Sequence, residues 1–162
     1  MITVTQRQLI FLAAAGSLTL LAGAFVFQAI GYAPCKMCYW QRYPHAIAVG
    51  IGILALIPMA DPVRRGLIIL GGAAAGITGA IGAFHAGVEQ KWWEGPSSCT
   101  GGGAGLHGLS GESLLATDVL DKVVMCDEVS WSMLGLSMPA WNAVFSIVLV
   151  IIWVAAWARK TT

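Results

Sequence analysis

Charge is what this sequence has least of. Asp, Glu, Lys and Arg make up 10% of the 162 residues, against 57% hydrophobic residues, where a soluble domain carries about 25% charged residues. That shortage excludes an ordinary soluble globular class. With a formal net charge of +1 there is no basic surface for a nucleic-acid partner. Cysteine is missing from every long apolar stretch, so no chain of thiols leads through the oily part of the molecule. Also missing are the C-x-x-C-H attachment site of a c-type haem and a glycine-rich nucleotide fingerprint after a strand.

What is present is hydrophobic length. Four stretches stand out, Leu9 to Gly31, Tyr43 to Ala60, Leu67 to Val88 and Ala140 to Ala158. A hydrocarbon core about 30 Å thick takes roughly 20 apolar residues as helix. The first and last stretches carry no formal charge, and the middle two hold only His45 and His85 as possible cations. Lipid offers backbone N–H and C=O groups no partner, so such spans must be helical. The expected fold is all-α, a four-helix transmembrane bundle in one integral membrane domain over residues 1–162, with spans at about 9–31, 43–60, 67–88 and 140–158. Asp61–Gly66 reads as a tight turn between the second and third spans. The first span is too long for a signal-peptide core and three more follow it, so it is expected to be retained.

Arg7, the pair Arg64 and Arg65, and Arg159 with Lys160 fall where a four-pass chain visits one side of the membrane. Positive charge near span ends marks the cytoplasmic side, so both termini are expected there. Loops 32–42 and 89–139 then face outward, into the periplasm if the membrane is a bacterial inner membrane. All four cysteines, Cys35, Cys38, Cys99 and Cys126, lie in these two loops. Disulfides form and persist in such a compartment.

Spans two and three carry small residues four apart, Ala46 and Gly50, Ala48 and Gly52, Gly72 and Gly76, Ala75 and Gly79, a spacing that lets helix backbones approach closely. Trp40, Trp92, Trp93 and Trp141 are expected at the outer ends of spans, and Trp153 and Trp157 near an inner one, as aromatic belts. Thr100–Gly111 holds six glycines in twelve residues and is expected to be mobile. Ser113–Met125 reads as a short amphipathic helix, with Leu115, Val119, Leu120 and Val123 opposite Asp118, Asp121 and Lys122. It is too short to span, and it either lies in the membrane surface or packs on the rest of its loop.

The cysteines admit three readings. A structural zinc site commonly wants two C-x2-C knuckles, and only Cys35 and Cys38 form one. Inert disulfides would make this a non-enzymatic membrane protein with stapled outer loops. A Cys99–Cys126 bridge could stabilise its loop by roughly 3–4 kcal/mol on the chain-entropy view, but a Cys35–Cys38 ring is too small to restrain much chain. Dithiol–disulfide exchange is the third reading, because pairs of this spacing are found where disulfides are made and broken. If the second helix has begun by Cys38, Arg42 lies one turn on along the same face. Its charge would stabilise a Cys38 thiolate, or it serves only as an interfacial anchor.

Taken together, several motifs resemble the disulfide bond formation protein B (DsbB) family of bacterial quinone-linked thiol oxidases. They are P-C-K-M-C at Pro34–Cys38, Gln41–Arg42 just beyond, a second cysteine pair in the long loop, Met125-Cys126-Asp127, and the run from Trp131 to Trp141. The likeness covers essentially the whole chain. It implies an inner-membrane thiol:quinone oxidoreductase that reoxidises a periplasmic DsbA-like dithiol oxidase of thioredoxin fold and passes the electrons to ubiquinone or menaquinone. It further implies that Cys99 takes the partner's thiolate in a mixed disulfide and frees Cys126. Cys126 would then exchange with the Cys35–Cys38 bridge at Cys35, and Cys38 would reduce a quinone held near Arg42 and His85.

Overall fold

A computed structural model describes residues 4–97, 99 and 125–159. Within them the chain forms α1 (Gln6–Ala29), α2 (Lys36–Leu56), α3 (Asp61–Glu89), a two-stranded hairpin of β1 (Ser132–Met133) and β2 (Leu136–Ser137), and α4 (Met138–Ala158). The architecture is an all-α membrane bundle. Three of the helices, α1, α3 and α4, are long and apolar enough to cross a membrane. The glycine-rich segment 100–111 and the expected amphipathic helix, apart from Met125, lie outside the described residues.

Local signals set the helix ends. Thr5 and Gln8 close a reciprocal capping box at the start of α1, satisfying backbone N–H groups that no helical carbonyl reaches. At α2 the cap is a cysteine. Cys35 is extended and its Sγ accepts from the Cys38 N–H, so the helix starts seven residues before the apolar run at Tyr43. Pro44 lies inside α2 without ending it. The helix stops at Leu56 because Ile57 precedes Pro58 and is held extended. At 21 residues α2 is about 31 Å long, but its first two turns carry Lys36 and Arg42. Asp61–Gly66 is not the expected turn. With Pro62 in its first turn it opens α3, and the connection shrinks to residues 57–60.

The helices pack in a ring, α1 on α2, α2 on α3, α3 on α4 and α4 back on α1. Ile10 and Ala13 of α1, Ala55 of α2, Ile68 and Ala75 of α3, and Leu149, Trp153 and Ala156 of α4 make the shared core. Trp153 corrects the belt expectation, because it is 1% exposed and buried at the centre. Its indole lies where a side chain at Gly71 would stand, and a Cβ there would come within 2.6 Å of the ring. Gly82 likewise admits α4, since a Cβ would lie 2.9 Å from the Pro139 carbonyl. A Cβ at Gly50 would meet nothing within 4 Å among the described residues.

Two ends result. At one, the Gln6 amide donates to the Ala156 and Arg159 carbonyls and Arg7 donates to the Leu56 carbonyl, satisfying the open ends of α4 and α2. The other end carries the cysteines, the tryptophans Trp92 and Trp93, and the hairpin. The hairpin turns through Leu134 and Gly135, both at positive φ, as a two-residue loop requires. Trp141 holds it by donating to the Met133 carbonyl.

Candidate functional site

The C-x-x-C pair occupies the start of α2 because Cys35 is its cap, which sets Cys38 one turn in on the same side. Their sulfurs are 3.0 Å apart. From the long loop, the Cys126 N–H donates to the Cys99 carbonyl at 2.8 Å, so residues distant in sequence become neighbours. Cys35, Cys99 and Cys126 are buried together with Met37 and Val88, and Cys38 packs against them. All four are thiols in this structure.

Environment separates their acidities. Cys35 donates its S–H to Cys38, and that hydrogen bond is the main reason the Cys38 thiol lies below its ordinary value; the backbone N–H of Cys35 and the Arg42 charge add to it. The same bond, with burial, pushes Cys35 up. Cys99 is pushed up to about 12 by burial and by its hydrogen bond with Cys126. Outside the cluster Lys91 bonds Asp127 at 2.5 Å and draws that carboxyl down.

Arg42 falls one turn beyond Cys38 as expected, but its guanidinium reaches across to α1. It donates to Gln28 Oε1 at 2.6 Å and the Ala24 carbonyl at 3.2 Å, over the rings of Phe25 and Tyr39. Its Nε is buried with no partner among the described residues. His85 packs on the thiols, Nε2 being 3.6 Å from Cys35 Sγ and Nδ1 2.9 Å from Gln41 Nε2.

Gln41 decides how that ring is protonated. Its amide nitrogen also donates to the Met37 carbonyl, which can only accept, so nitrogen and not oxygen faces His85 Nδ1. Nδ1 is therefore the bare acceptor, and the ring proton sits on Nε2, facing sulfur. Cys35, His85 and Cys126 present donor atoms within 4.8 Å of one another, close enough to share a metal ion. A ligand nitrogen must be bare, however, and a metal-bound histidine donates from its other nitrogen. The Gln41 amide imposes the reverse arrangement, so the trio is better suited to sulfur exchange than to metal.

Between α1, α2, α4 and the hairpin lies a cavity of about 250 Å³. Cys38, Gln41, Arg42, His45, His85 and Glu89 supply its polar wall, and Leu20, Phe27, Trp131 and Phe145 much of the rest. Three of these residues went unnoticed in the sequence as site candidates. Glu89, the first residue of the expected outer loop 89–139, instead ends α3 at 9% exposure with Oε2 unpartnered among the described residues. His45 and Gln41 belong to a buried network with Thr78 and Asn142. The available signal was the spacing of Gln41 and His45, one turn apart on α2, together with the single amide Asn142 in an otherwise apolar span.

The sequence profile described as disulfide bond formation protein DsbB covers residues 6–156. The chain belongs to the disulfide bond formation protein B family. Among DsbB relatives, the protein of Xanthomonas oryzae pv. oryzae is 36% identical over 140 residues, covering 85% of this chain and 80% of the relative. That of Stutzerimonas stutzeri is 31% identical over 146 residues, covering 85% and 86%. The Hahella chejuensis protein is 28% identical over 163 residues, covering 96% of each. No solved structure matches. The apolar helices and the DsbB family together make this a membrane protein of disulfide-bond formation.

Proposed function

We propose that this chain is a thiol:quinone oxidoreductase of the bacterial inner membrane, cysteines outward, which reoxidises a periplasmic thioredoxin-fold dithiol protein and hands the electrons to ubiquinone or menaquinone. One observation carries the reading. The cysteine with the lowered pKa lines a largely apolar cavity whose wall also carries Arg42, His45 and Glu89. An apolar wall with a few convergent polar side chains suits a ligand that is apolar apart from a few oxygens. A quinone head group fits that description.

The residues then divide the work. With both cysteine pairs oxidised, the partner's thiolate attacks Cys99 Sγ and Cys126 leaves with the electron pair. The Cys126 thiolate attacks Cys35 Sγ, which lies within 4.8 Å, and Cys38 leaves as the thiolate. Exchange proceeds faster when the leaving sulfur is the more acidic one; Cys35 has no S–H to donate in this step, so the Cys35 backbone N–H and the Arg42 charge are what favour the Cys38 thiolate. The His85 Nε2–H facing Cys35 steadies the attacked sulfur, and Arg42 holds positive charge beside Cys38. The partner's second thiolate then attacks its own sulfur in the mixed disulfide and releases Cys99, and the Cys99 thiolate attacks Cys126 and frees Cys35, which restores the Cys99–Cys126 disulfide and leaves Cys35 and Cys38 as the dithiol. The bound quinone supplies the sink, accepting two electrons and two protons as the dithiol closes again to the disulfide. The balance is partner dithiol plus quinone to partner disulfide plus quinol.

Detergent-solubilised protein mixed with a reduced thioredoxin-fold dithiol substrate and a short-chain ubiquinone should bleach the quinone absorbance in proportion to substrate oxidised. Cys38→Ala should abolish the bleaching. If thiols are oxidised while the quinone spectrum stands still, the reading fails.

A further inference from the structure

Four hydrogen bonds run head to tail across α2, α3 and α4 and end on Cys35. Groups that can only accept identify their donors. The Thr78 hydroxyl donates to the Gln41 backbone carbonyl, so its oxygen, like the Thr78 carbonyl, faces Asn142 as an acceptor. The nitrogen of that amide lies 3.2 Å from the one and 3.3 Å from the other. Asn142 Oδ1 is then the atom 2.8 Å from His45 Nε2, which must donate to it. The Asn142 nitrogen also donates to Gln41 Oε1 at 2.8 Å. With its oxygen so engaged, Gln41 turns its nitrogen to the Met37 carbonyl and to His85 Nδ1, 2.9 Å away. Nδ1 accepts, the ring proton sits on Nε2, and Nε2 lies 3.6 Å from Cys35 Sγ. The direction is the same at every link, from His45 to Asn142, Gln41, His85 and sulfur.

We propose that Gln41 and Asn142 are positioning residues which, acting through His85, hold an N–H on Cys35 and stabilise the thiolate that Cys35 becomes when it is the leaving sulfur. The inference rests on the exchange reading above and adds how a sulfur in a poor setting for leaving is made to leave. In the resolving step the Cys99 thiolate attacks Cys126 Sγ, the Cys99–Cys126 bond forms, the Cys126–Cys35 bond breaks, and Cys35 departs with the electron pair. It then takes up the proton that the partner's second thiol shed and stands as the S–H beside Cys38. Exchange slows as the leaving thiol becomes less acidic, and the neighbouring Cys38 sulfur together with burial works against a Cys35 thiolate.

A buried cation beside Cys35 would oppose that effect, at a desolvation cost of its own. Neutral amides and imidazoles avoid the cost, and in a chain each bond polarises the next, strengthening it by roughly 10–30%. The chain also fixes which atom His85 shows to sulfur. Turned over, the ring would set a lone pair against the thiolate.

The test reads the thiolate and the ring proton directly. Cys38 and Cys126 also face Cys35, so the parent for the first measurement is Cys38→Ala/Cys99→Ala/Cys126→Ala protein in micelles. The ultraviolet absorbance of the remaining thiolate against pH, less that of a Cys35→Ala control, gives its pKa without a reagent having to reach it. His85→Phe removes a hydrogen bond to a charged group and should move the inflection up by about one to two pH units. Gln41→Met keeps the length and loses the donor, and should move it up by about half a pH unit, with Asn142→Leu moving it less. Added to His85→Phe, neither should move it further. No shift in Gln41→Met, or the same shift with and without His85, overturns the proposal, because a residue that merely packs does not need the ring. The second measurement is heteronuclear NMR of the histidine nitrogens in His107→Asn protein, where only His45 and His85 remain. Both rings should carry the proton on Nε2 and leave Nδ1 bare. A ring protonated on Nδ1 overturns the proposal, even if the Gln41 and His85 variants fail to fold. Neither measurement uses substrate or quinone, so failure of the proposed function shows in the quinone assay alone and failure of the chain shows here alone.

Discussion

The shared proton of the C-x-x-C pair is open to a quantitative test, because the structure ranks what holds Cys38 acidic. The Cys35 S–H lies 3.0 Å from Cys38 Sγ, and a hydrogen bond to a charged group contributes about 1.5–3 kcal/mol. At about 1.4 kcal/mol per pH unit, its loss should raise the Cys38 pKa by about one to two pH units. Arg42 acts through space while its guanidinium is committed to Gln28 and Ala24, so Arg42→Gln should raise it by less than about one pH unit. The assay is the pH dependence of alkylation in a Cys99→Ala/Cys126→Ala background, with Cys35→Ala, Cys35→Ser and Arg42→Gln compared. A lowered thiol is reactive above its lowered value, so each change should move the inflection to higher pH. Cys35→Ala should shift it furthest, with Cys35→Ser intermediate because its hydroxyl still donates. If Arg42→Gln moves the inflection further than Cys35→Ala, the arginine and not the neighbouring thiol governs the site, and the ranking argued here is wrong.

Three other outcomes are expected. Gly71→Ala places a methyl 2.6 Å from the Trp153 ring and should destabilise the bundle by about 1–3 kcal/mol; thermal unfolding in detergent measures this, and pairing it with Trp153→Phe should recover part of the loss. Cys99→Ala should abolish oxidation of the protein substrate yet leave the Cys35–Cys38 pair reoxidised by added quinone, whereas a merely structural pair would show lowered stability and no such split. In intact spheroplasts of reduced cells, a membrane-impermeant thiol reagent should label the cysteines, and labelling that waits for lysis would contradict the outward orientation.

Much of this architecture was legible because its causes are local. Hydrophobic length in a lipid solvent compels helix, so the bundle followed from four apolar stretches. The spacing of Cys35, Cys38 and Arg42 followed from helical geometry once the chain was read as helix there. Even so, the helix start at Lys36 depended on a cysteine acting as cap, a role for which residue identity gives only a weak signal.

The rest belonged to tertiary packing. A span that is apolar on every side does not declare which face meets protein, so Trp153 read as a lipid-belt residue until Gly71 and Gly72 gave its indole a place in the core. Glu89 read as the first residue of an outer loop, and only the approach of α3 to the hairpin and α4 buried it beside the cavity. The proton position on His85 depends on the carbonyl group of Met37, which lies 48 residues away from it in sequence. A sequence records donors and acceptors, but which atom a histidine leaves bare is settled by the partners that folding brings within hydrogen-bonding distance, where a carbonyl oxygen has no choice but to accept.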